Sequence, residues 1–344
     1  MSRLTATRAK PRSLRAEWKT TLSDCTIALG WQPRGDLLAA AALDGPVTLF
    51  EGTTGEVKHE LIGHRLGTSA LHWRPDGTRL ATAGQDGAVR LWDPKSGSEL
   101  ASLKAGAQWV EHLAWSSDGE LLATAAGKFL RVWDAEGNLV REYEPQSTTV
   151  SALTWEPESR SLTVAVRGKI ALFNPDKDEP VYIMEWPSNT VALSWSPDGS
   201  FLAAGGEDGV LHLWLMRTVE ETEFDSYWTK LKELAWDRSS NLLATGGGPS
   251  IVVWDCSGTG PADKKPLVCR WHKPGVRALA FQGKGDVLAS AGGEGRLILW
   301  RLAPYERLAV AKLDAAATCL GWSANDELVA AGTESGGLAV FRAD

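Results

Sequence analysis

The sequence contains few cysteines, only 4 in 344 residues, and they are scattered. No two of them have the CxxC spacing of a zinc or redox site, so neither a disulfide framework nor a metal centre is predicted. No apolar run approaches the roughly 18 residues that a membrane span requires. The basic N-terminus, residues 1–15, has no apolar core like that of a secretory signal. These absences predict a reduced, cytoplasmic protein with no membrane partner.

An excess of positive charge is also absent. Lys and Arg together number 36 against 43 Asp and Glu, which gives a formal net charge of −7. A general nucleic-acid binder carries the opposite electrostatic footprint, so no nucleic-acid partner is expected. The 6 histidines are dispersed and form no HExxH or other metal spacing. The run at 246–248 has no Lys-Ser/Thr after it and is no phosphate loop. We therefore expect no cofactor, no metal and no catalysis.

Tryptophan, in contrast, is abundant, with 17 residues against 4 Tyr and 7 Phe. Aromatic residues recur every 40 to 45 positions in one series: Trp31, Trp73, Trp115, Trp155, Trp195, Trp236, Phe281 and Trp322. A second series follows each member by 18 or 19 residues: Phe50, Trp92, Trp133, Phe173, Trp214, Trp254, Trp300 and Phe341. The chain thus consists of eight copies of one unit.

Each unit is predicted to form four short antiparallel strands. In the second unit, residues 69–73 and 89–92 alternate between apolar and polar positions, with turn signals at 75–77 and 86–87. Residues 99–104 supply a fourth strand. Such a small sheet cannot bury both faces alone, but radial stacking of several sheets buries them against one another.

Several short motifs resemble those of the WD-repeat β-propeller family. They are Gly-His at 63–64, Asp-Gly-Ala-Val-Arg-Leu-Trp-Asp at 86–93, Leu-Leu-Ala-Thr at 121–124 and Ser-Pro-Asp-Gly at 196–199. The resemblance extends over residues 15–341. It implies an all-β ring of blades, with strands a to d running outward from a central channel. It also implies function through binding rather than catalysis.

Eight units predict eight four-stranded blades in a single closed propeller. The last unit ends at 340–341 with no residues left for its outer strand, whereas residues 16–22 precede the first inner strand. We therefore expect this N-terminal strand to close the last blade, which removes an exposed edge. The propeller would span residues 15–344, after a basic, disordered tail at 1–14. Seven blades, the family's commonest number, remain the alternative if one unit is degenerate.

The resemblance also implies a structural tetrad: a His before strand a, a Ser or Thr in strand b, an Asp in the b–c turn and a Trp in strand c. The second unit has all four, as His64, Thr82, Asp86 and Trp92. The seventh unit has a variant set, His272, Ser290, Glu294 and Trp300. Although His64 and Asp86 resemble a base–acid pair, we predict a structural role, because buried networks of this kind are costly to leave half-made.

Partner contacts in the family are carried by loops at the top of the ring. The matching positions, before strand a and before the b–c turn, predict a set of partner-binding residues: Trp109, Glu111, Arg167, Glu207, Trp228, Lys230, Lys232 and Arg277. The four cations in this set belong to units four to seven, and a basic arc of this kind favours an acidic peptide or protein surface.

The sequence therefore predicts a monomeric, non-catalytic scaffold or adaptor that binds one or more proteins or peptides. Two alternatives stay open at this stage. One is a propeller enzyme or small-ligand sensor that uses the central channel. The other is a reader of acidic or modified peptides.

Overall fold

The computed structural model describes residues 11–64, 66–106, 109–185, 188–225, 227 and 229–343. This part of the chain forms 33 strands and no helix. The strands assemble into eight sheets, seven of four strands and one of five. The predicted eight-bladed propeller is therefore confirmed, and the seven-bladed alternative is wrong. No helix in the described ranges is long and apolar enough to cross a membrane.

Every blade has the same strand order, with strand a innermost. The a strands are β3 Thr26–Trp31, β7 Thr68–Trp73, β11 His112–Trp115, β15 Ala152–Trp155, β19 Thr190–Trp195, β23 Glu233–Trp236, β27 Val276–Phe281 and β31 Ala317–Trp322. The b strands are β4 Leu37–Ala42, β8 Leu80–Gly84, β12 Leu121–Ala126, β16 Leu162–Val166, β20 Phe201–Gly206, β24 Leu242–Gly246, β28 Val287–Gly292 and β32 Leu328–Thr333.

The two outer strands complete each blade. The c strands are β5 Val47–Glu51, β9 Ala88–Trp92, β13 Phe129–Asp134, β17 Lys169–Phe173, β21 Leu211–Leu215, β25 Ser250–Asp255, β29 Arg296–Leu302 and β33 Gly337–Arg342. The d strands are β6 Val57–Leu61, β10 Glu99–Lys104, β14 Leu139–Glu142, β18 Tyr182–Glu185, β22 Glu220–Phe224, β26 Leu267–Arg270, β30 Tyr305–Lys312 and, for the last blade, β2 Ala16–Thr21.

The core lies between neighbouring blades, where both faces of each b strand are covered. In β8 and β12 every residue is buried, and most residues there are Ala, Leu, Thr or Gly. Small side chains let two twisted sheets approach closely, while the larger aromatics of strands a and c fill the wider gaps.

In six blades the tryptophan of strand a also joins neighbouring blades. The indole N–H of Trp73 donates to the carbonyl of Gly30 at 2.8 Å, and that of Trp155 donates to Ala114 at 2.9 Å. The same bond from Trp31 to Gly321, at 3.0 Å, links the first blade to the last. This donor explains why Trp, rather than another large apolar residue, predominates at the first position of the repeat.

The N-terminal strand closes the ring, as predicted. β2 pairs antiparallel with β33, from Ala16 opposite Phe341 to Thr21 opposite Gly337. The indole of Trp18 donates to Gly52 of the first blade at 2.7 Å and packs 5.5 Å from the ring of Phe50. The strand therefore completes the eighth blade and also covers the joint with the first.

The prediction of a disordered tail through residue 14 is wrong for its last three residues. Arg12–Ser13 forms a short strand, β1, that pairs parallel with β30 as a fifth strand of the seventh blade. Leu14 donates its N–H to Val310 at 2.9 Å and is buried in the core of blades seven and eight. An open blade edge and an apolar side chain together account for this order. Residues 1–10 lie outside the described part of the chain.

Candidate interaction surface on the top face

The d–a loops and b–c turns meet on one side of the ring, which we call the top face. Backbone hydrogen bonds join the two kinds of loop: Gln85 donates to Gly67 at 3.0 Å, and Val110 donates to Gly84 at 3.1 Å. Glycines with positive φ, such as Gly87 at 77°, make the tight b–c turns that this arrangement needs. The top face is thus a continuous surface rather than a set of separate loops.

The structure places seven of the eight predicted partner-binding residues in exposed positions. Trp109 is 54% exposed. The other six are Glu111, Arg167, Glu207, Lys230, Lys232 and Arg277. Trp228 lies outside the described residues.

A β-bulge directs the side chain of Arg277 outward. In the seventh blade Val276 pairs with Gly292 and Ala278 with Ala291, so Arg277 has no partner in the ladder. Bulges of this kind re-aim a side chain at the end of a strand. The same shift occurs in the first, second, fifth and eighth blades, at the corresponding position of strand a.

The predicted basic arc is partly neutralised by its own neighbours. Lys230 forms an ion pair with Glu207, and Asn189 also donates to Glu207 at 3.2 Å. Lys230, Asn189 and the charge of Arg167 hold the pKa of Glu207 below its usual range. Because Glu207 compensates Lys230 most directly, the positive field toward solvent comes chiefly from Arg167, Lys232 and Arg277.

A partly buried carboxyl, that of Glu233, lies near Lys232 and Arg277. Burial raises the pKa of Glu233 to about 7, although the charges of Lys232 and Arg277 oppose this rise. Near neutral pH the carboxyl is therefore close to half protonated. Its charge, and with it the net charge of this part of the top face, changes within the physiological range.

An apolar sector beside the basic one was missed by the sequence analysis, which weighed charge in the loops. Ile62 is 80% exposed, and Leu43 and Leu66 are exposed as well. The carbonyl of Leu43 lies against Gly67, so these side chains and Trp109 project from adjoining loops of the first three blades. In the sequence, this apolar sector is indicated by large apolar residues in segments otherwise rich in turn residues.

The tetrad residues form a continuous buried network. Trp92 donates its indole N–H to the hydroxyl of Thr82 at 2.8 Å, and His64 contacts that hydroxyl through Nε2 at 2.8 Å. His64 Nδ1 lies 3.1 Å from Asp86, and the His64 side chain is 2% exposed. Burial lowers the pKa of His64, so the imidazole is neutral. Both ring nitrogens make contacts within the blade, so neither is available to a substrate.

The seventh blade repeats this network with its own residues. His272 contacts Ser290 at 2.8 Å and Glu294 at 2.6 Å, and Trp300 donates to Ser290 at 2.8 Å. The longer Glu side chain therefore reaches the position that Asp86 occupies in the second blade.

A third network, in the sixth blade, uses tyrosine in place of histidine. Trp254 donates to the hydroxyls of Tyr227 at 3.0 Å and Thr245 at 3.1 Å, and these two hydroxyls bond to each other. Tyr227 precedes Trp236 by nine residues, the same offset that separates His64 from the first aromatic of its unit. In the sequence, this offset identifies Tyr227 as the counterpart of His64, whereas a search for histidine does not find it.

Comparisons with known proteins agree with this architecture. The model of the anaphase-promoting complex subunit 4 WD40 domain matches residues 62–118. The model of the WD domain, G-beta repeat, matches residues 178–214 and 264–301.

Among curated proteins, the chain is 32% identical over 139 residues to anaphase-promoting complex subunit cdc20 of Dictyostelium discoideum, covering 37% of this chain and 27% of that protein. It is 32% identical over 93 residues to Protein SLOW WALKER 1 of Arabidopsis thaliana, covering 25% of this chain and 18% of that protein. It is 26% identical over 177 residues to the transcriptional corepressor LEUNIG_HOMOLOG of the same plant, covering 50% and 21%. The chain thus spans less than a third of the length of these relatives.

A solved structure resembles the whole ring. The crystal structure of the computationally designed Ika8 protein superimposes with a TM-score of 0.81 at 20% identity, covering 94% of this chain and 98% of that one. This likeness concerns the fold alone. The repeat of paired aromatics and the eight four-stranded blades make this chain an eight-bladed β-propeller, and three of its segments are similar to the WD-repeat models.

Proposed function

We propose that the protein is a non-catalytic interaction scaffold that binds a protein or peptide through its top face. Relatives that it matches are named as a subunit of the anaphase-promoting complex and as a transcriptional corepressor, which are roles in protein assemblies. The similarity to WD-repeat proteins supports a scaffold role in general. The partner and the binding face are our own proposal.

The observation that carries the proposal is the division of the top face into an apolar and a basic sector. Exposed aromatic and apolar side chains, here Trp109 with Ile62 and Leu66, are typical anchors of an interface. The exposed charges of Arg167, Lys232 and Arg277 complement a negative partner. The partner that fits both sectors is a segment with apolar side chains beside several acidic residues.

The strongest acid–base candidate supports a binding role over catalysis. His64 and Asp86 have the chemistry of a catalytic pair, but His64 is held between Asp86 and Thr82 inside the second blade. A general base must come within hydrogen-bond reach of the proton that it removes. A buried imidazole with both nitrogens engaged does not meet that condition.

Replacing Trp109 and Arg277 together with Ala is expected to weaken binding of such a segment at least about tenfold, because hot-spot side chains typically contribute more than 1 kcal/mol each. Binding is measured by fluorescence anisotropy, with labelled peptides that combine leucine or tryptophan with several Glu residues. The control is Leu100→Ala/Arg238→Ala. It removes an exposed apolar side chain from an outer strand and an exposed arginine from the opposite face. Equal affinity of both variants and the wild type would place the binding surface elsewhere on the ring.

Binding of the acidic segment is expected to strengthen as the pH falls from 8 to 6. Glu233 becomes protonated around its pKa of about 7 and then no longer offsets the charges of Lys232 and Arg277. Because the pKa of this carboxyl is raised in the folded state, its protonated form also favours folding. The contribution of Glu233 to stability is fully present below the unfolded pKa of 4.5 and is lost as the pH rises through about 7.

The variant Glu233→Gln is expected to bind with little pH dependence and to be more stable than the wild type at pH 8, with little difference at pH 4. Peptide titrations and urea denaturation across this range measure both effects. Glu111→Gln is the matched control, since it removes one exposed carboxylate from the same face. A wild-type pH profile that persists in Glu233→Gln would contradict this assignment.

A further inference from the structure

Three metal-ligating side chains converge on one face of the fifth blade. His212 belongs to the c strand β21, and Glu221 and Glu223 belong to the neighbouring d strand β22. His212 pairs directly with Glu223, and Trp214 pairs with Glu221. Since alternate residues of a strand share a face, both carboxylates lie on the same side of the sheet as the imidazole.

The distances among these groups fit a metal ion. His212 Nδ1 lies 2.8 Å from Glu221 Oε1 and 3.9 Å from Glu223 Oε1. The three ligand atoms all lie within 4.8 Å of one another. A tetrahedral zinc ion about 2.1 Å from each ligand holds neighbouring ligand atoms about 3.4 Å apart. The observed separations from Nδ1 bracket that value, so small side-chain movements would complete the coordination.

Two other blades have a cation at the position of His212. Two residues before the c-strand aromatic, the second blade has Arg90 and the third has Arg131. Arg90 Nε forms an ion pair with Glu99 at 3.2 Å, and Arg131 forms one with Glu142 at 2.6 Å. In these two blades a guanidinium supplies the positive charge beside the d-strand carboxylate. The fifth blade has His212 at the same position.

The fifth blade has a carboxylate at both of the d-strand positions that the second and third blades use singly. Glu221 lies opposite the c-strand aromatic, as Glu99 does, and Glu223 lies opposite the residue two before it, as Glu142 does. Among the described residues, no Lys or Arg forms an ion pair with Glu221 or Glu223. Two carboxylates thus face a histidine where the second and third blades provide a cation.

The imidazole is held where it can bind a metal. Its side chain is 3% exposed, and Nδ1 faces both carboxylates. Imidazole nitrogen is a common ligand of transition metals. The indole N–H of Trp214 bonds to Glu221 and helps to orient this carboxylate, as outer partners do in metal sites.

We infer that His212, Glu221 and Glu223 form a binding site for a divalent transition-metal ion, with Zn²⁺ as the best match. A nitrogen ligand beside two carboxylates favours zinc and its neighbours over Mg²⁺ or Ca²⁺, which prefer oxygen ligands alone. Three protein ligands leave a coordination position for water or for a side chain of a bound protein. Both glutamates are partly exposed, so this position opens toward solvent.

The test is a zinc titration of the tag-free protein, followed by equilibrium dialysis with metal analysis. The wild type is expected to bind one Zn²⁺ per chain at this site. Glu221→Gln/Glu223→Gln is expected to lower the affinity at least about tenfold, because even outer-shell changes cost that much in metal sites. His212→Arg, which recreates the arrangement of the second and third blades, is expected to fold normally and to lose the same binding.

Glu56→Gln/Glu60→Gln, at the outer strand of the first blade, is the matched control and should leave zinc affinity unchanged. The inference is overturned if the wild type binds no zinc, or if His212→Arg and Glu221→Gln/Glu223→Gln bind it as the wild type does. Circular dichroism of each variant confirms that any loss of zinc is not a loss of fold. The peptide titrations above are independent of this result, so the two proposals can fail separately.

Discussion

Deletion of residues 1–22 is expected to lower the free energy of unfolding by at least about 3 kcal/mol, because it removes the partly buried Trp18 and the buried Leu14 together. The deletion also removes β2, which pairs with β33 from Ala16 to Thr21. The outer edge of the eighth blade is then open, and exposed edges pair with other chains. Urea denaturation measures the stability, and light scattering follows the aggregation that we expect.

Two shorter deletions are the controls. Removing residues 1–10 takes away none of the contacts described above and is expected to leave the denaturation midpoint unchanged. Removing residues 1–14 also deletes β1 and the buried Leu14, and it is expected to give a smaller loss than the longest deletion. If the deletions to residue 10 and residue 22 were equally stable, β2 would not be the strand that holds the ring closed.

The blade number and the ring closure could be predicted because both follow from periodicity. Each unit has the same aromatic pair, and the last unit lacks an outer strand that the N-terminus supplies. β1 could not be found in this way. It has only two residues and no alternation, and its partner β30 is distant in sequence, so its pairing depends on an edge that exists only in the folded ring.

The surface was less predictable than the scaffold for a related reason. The repeat offset shows which loop residues reach the top face, and the seven described ones are exposed. The repeat offset does not show which of these side chains contact one another. Lys230 and Glu207 come from different loops and neutralise each other, a contact that the positions alone did not reveal. Charge counts along a sequence therefore overstate the field that a partner meets.

The hydrogen-bond networks inside the blades also depend on position in the repeat more than on residue type. The position before strand a needs a side chain that reaches the hydroxyl of strand b, and either an imidazole or a phenol does so. His64 reaches Thr82 and Tyr227 reaches Thr245, each beside a donating Trp. The position and the reach are the constraint, and residue identity follows from them only loosely.

The tryptophans divide into scaffold and surface by their phase in the repeat, and substitution is expected to separate the two groups. Trp254→Ala is expected to destabilise the protein by about 3–5 kcal/mol, since a buried ring leaves a cavity. It also removes the donor shared by Tyr227 and Thr245. Trp115→Ala, at a buried position of strand a, is expected to cost a similar amount. Trp109→Ala is expected to change stability by no more than about 0.5 kcal/mol, as exposed positions do.

Urea denaturation of the three variants measures these differences on one scale. Trp254→Phe is the matched control, because Phe50, Phe173 and Phe341 occupy the same position in other blades. It keeps a buried ring but loses the indole N–H and the second ring, so its cost is expected to be about 1–3 kcal/mol, below that of Trp254→Ala. A loss for Trp109→Ala as large as that for Trp254→Ala would contradict the division. Trp109 would then belong to the packing between blades two and three, and the apolar sector would lose its aromatic anchor.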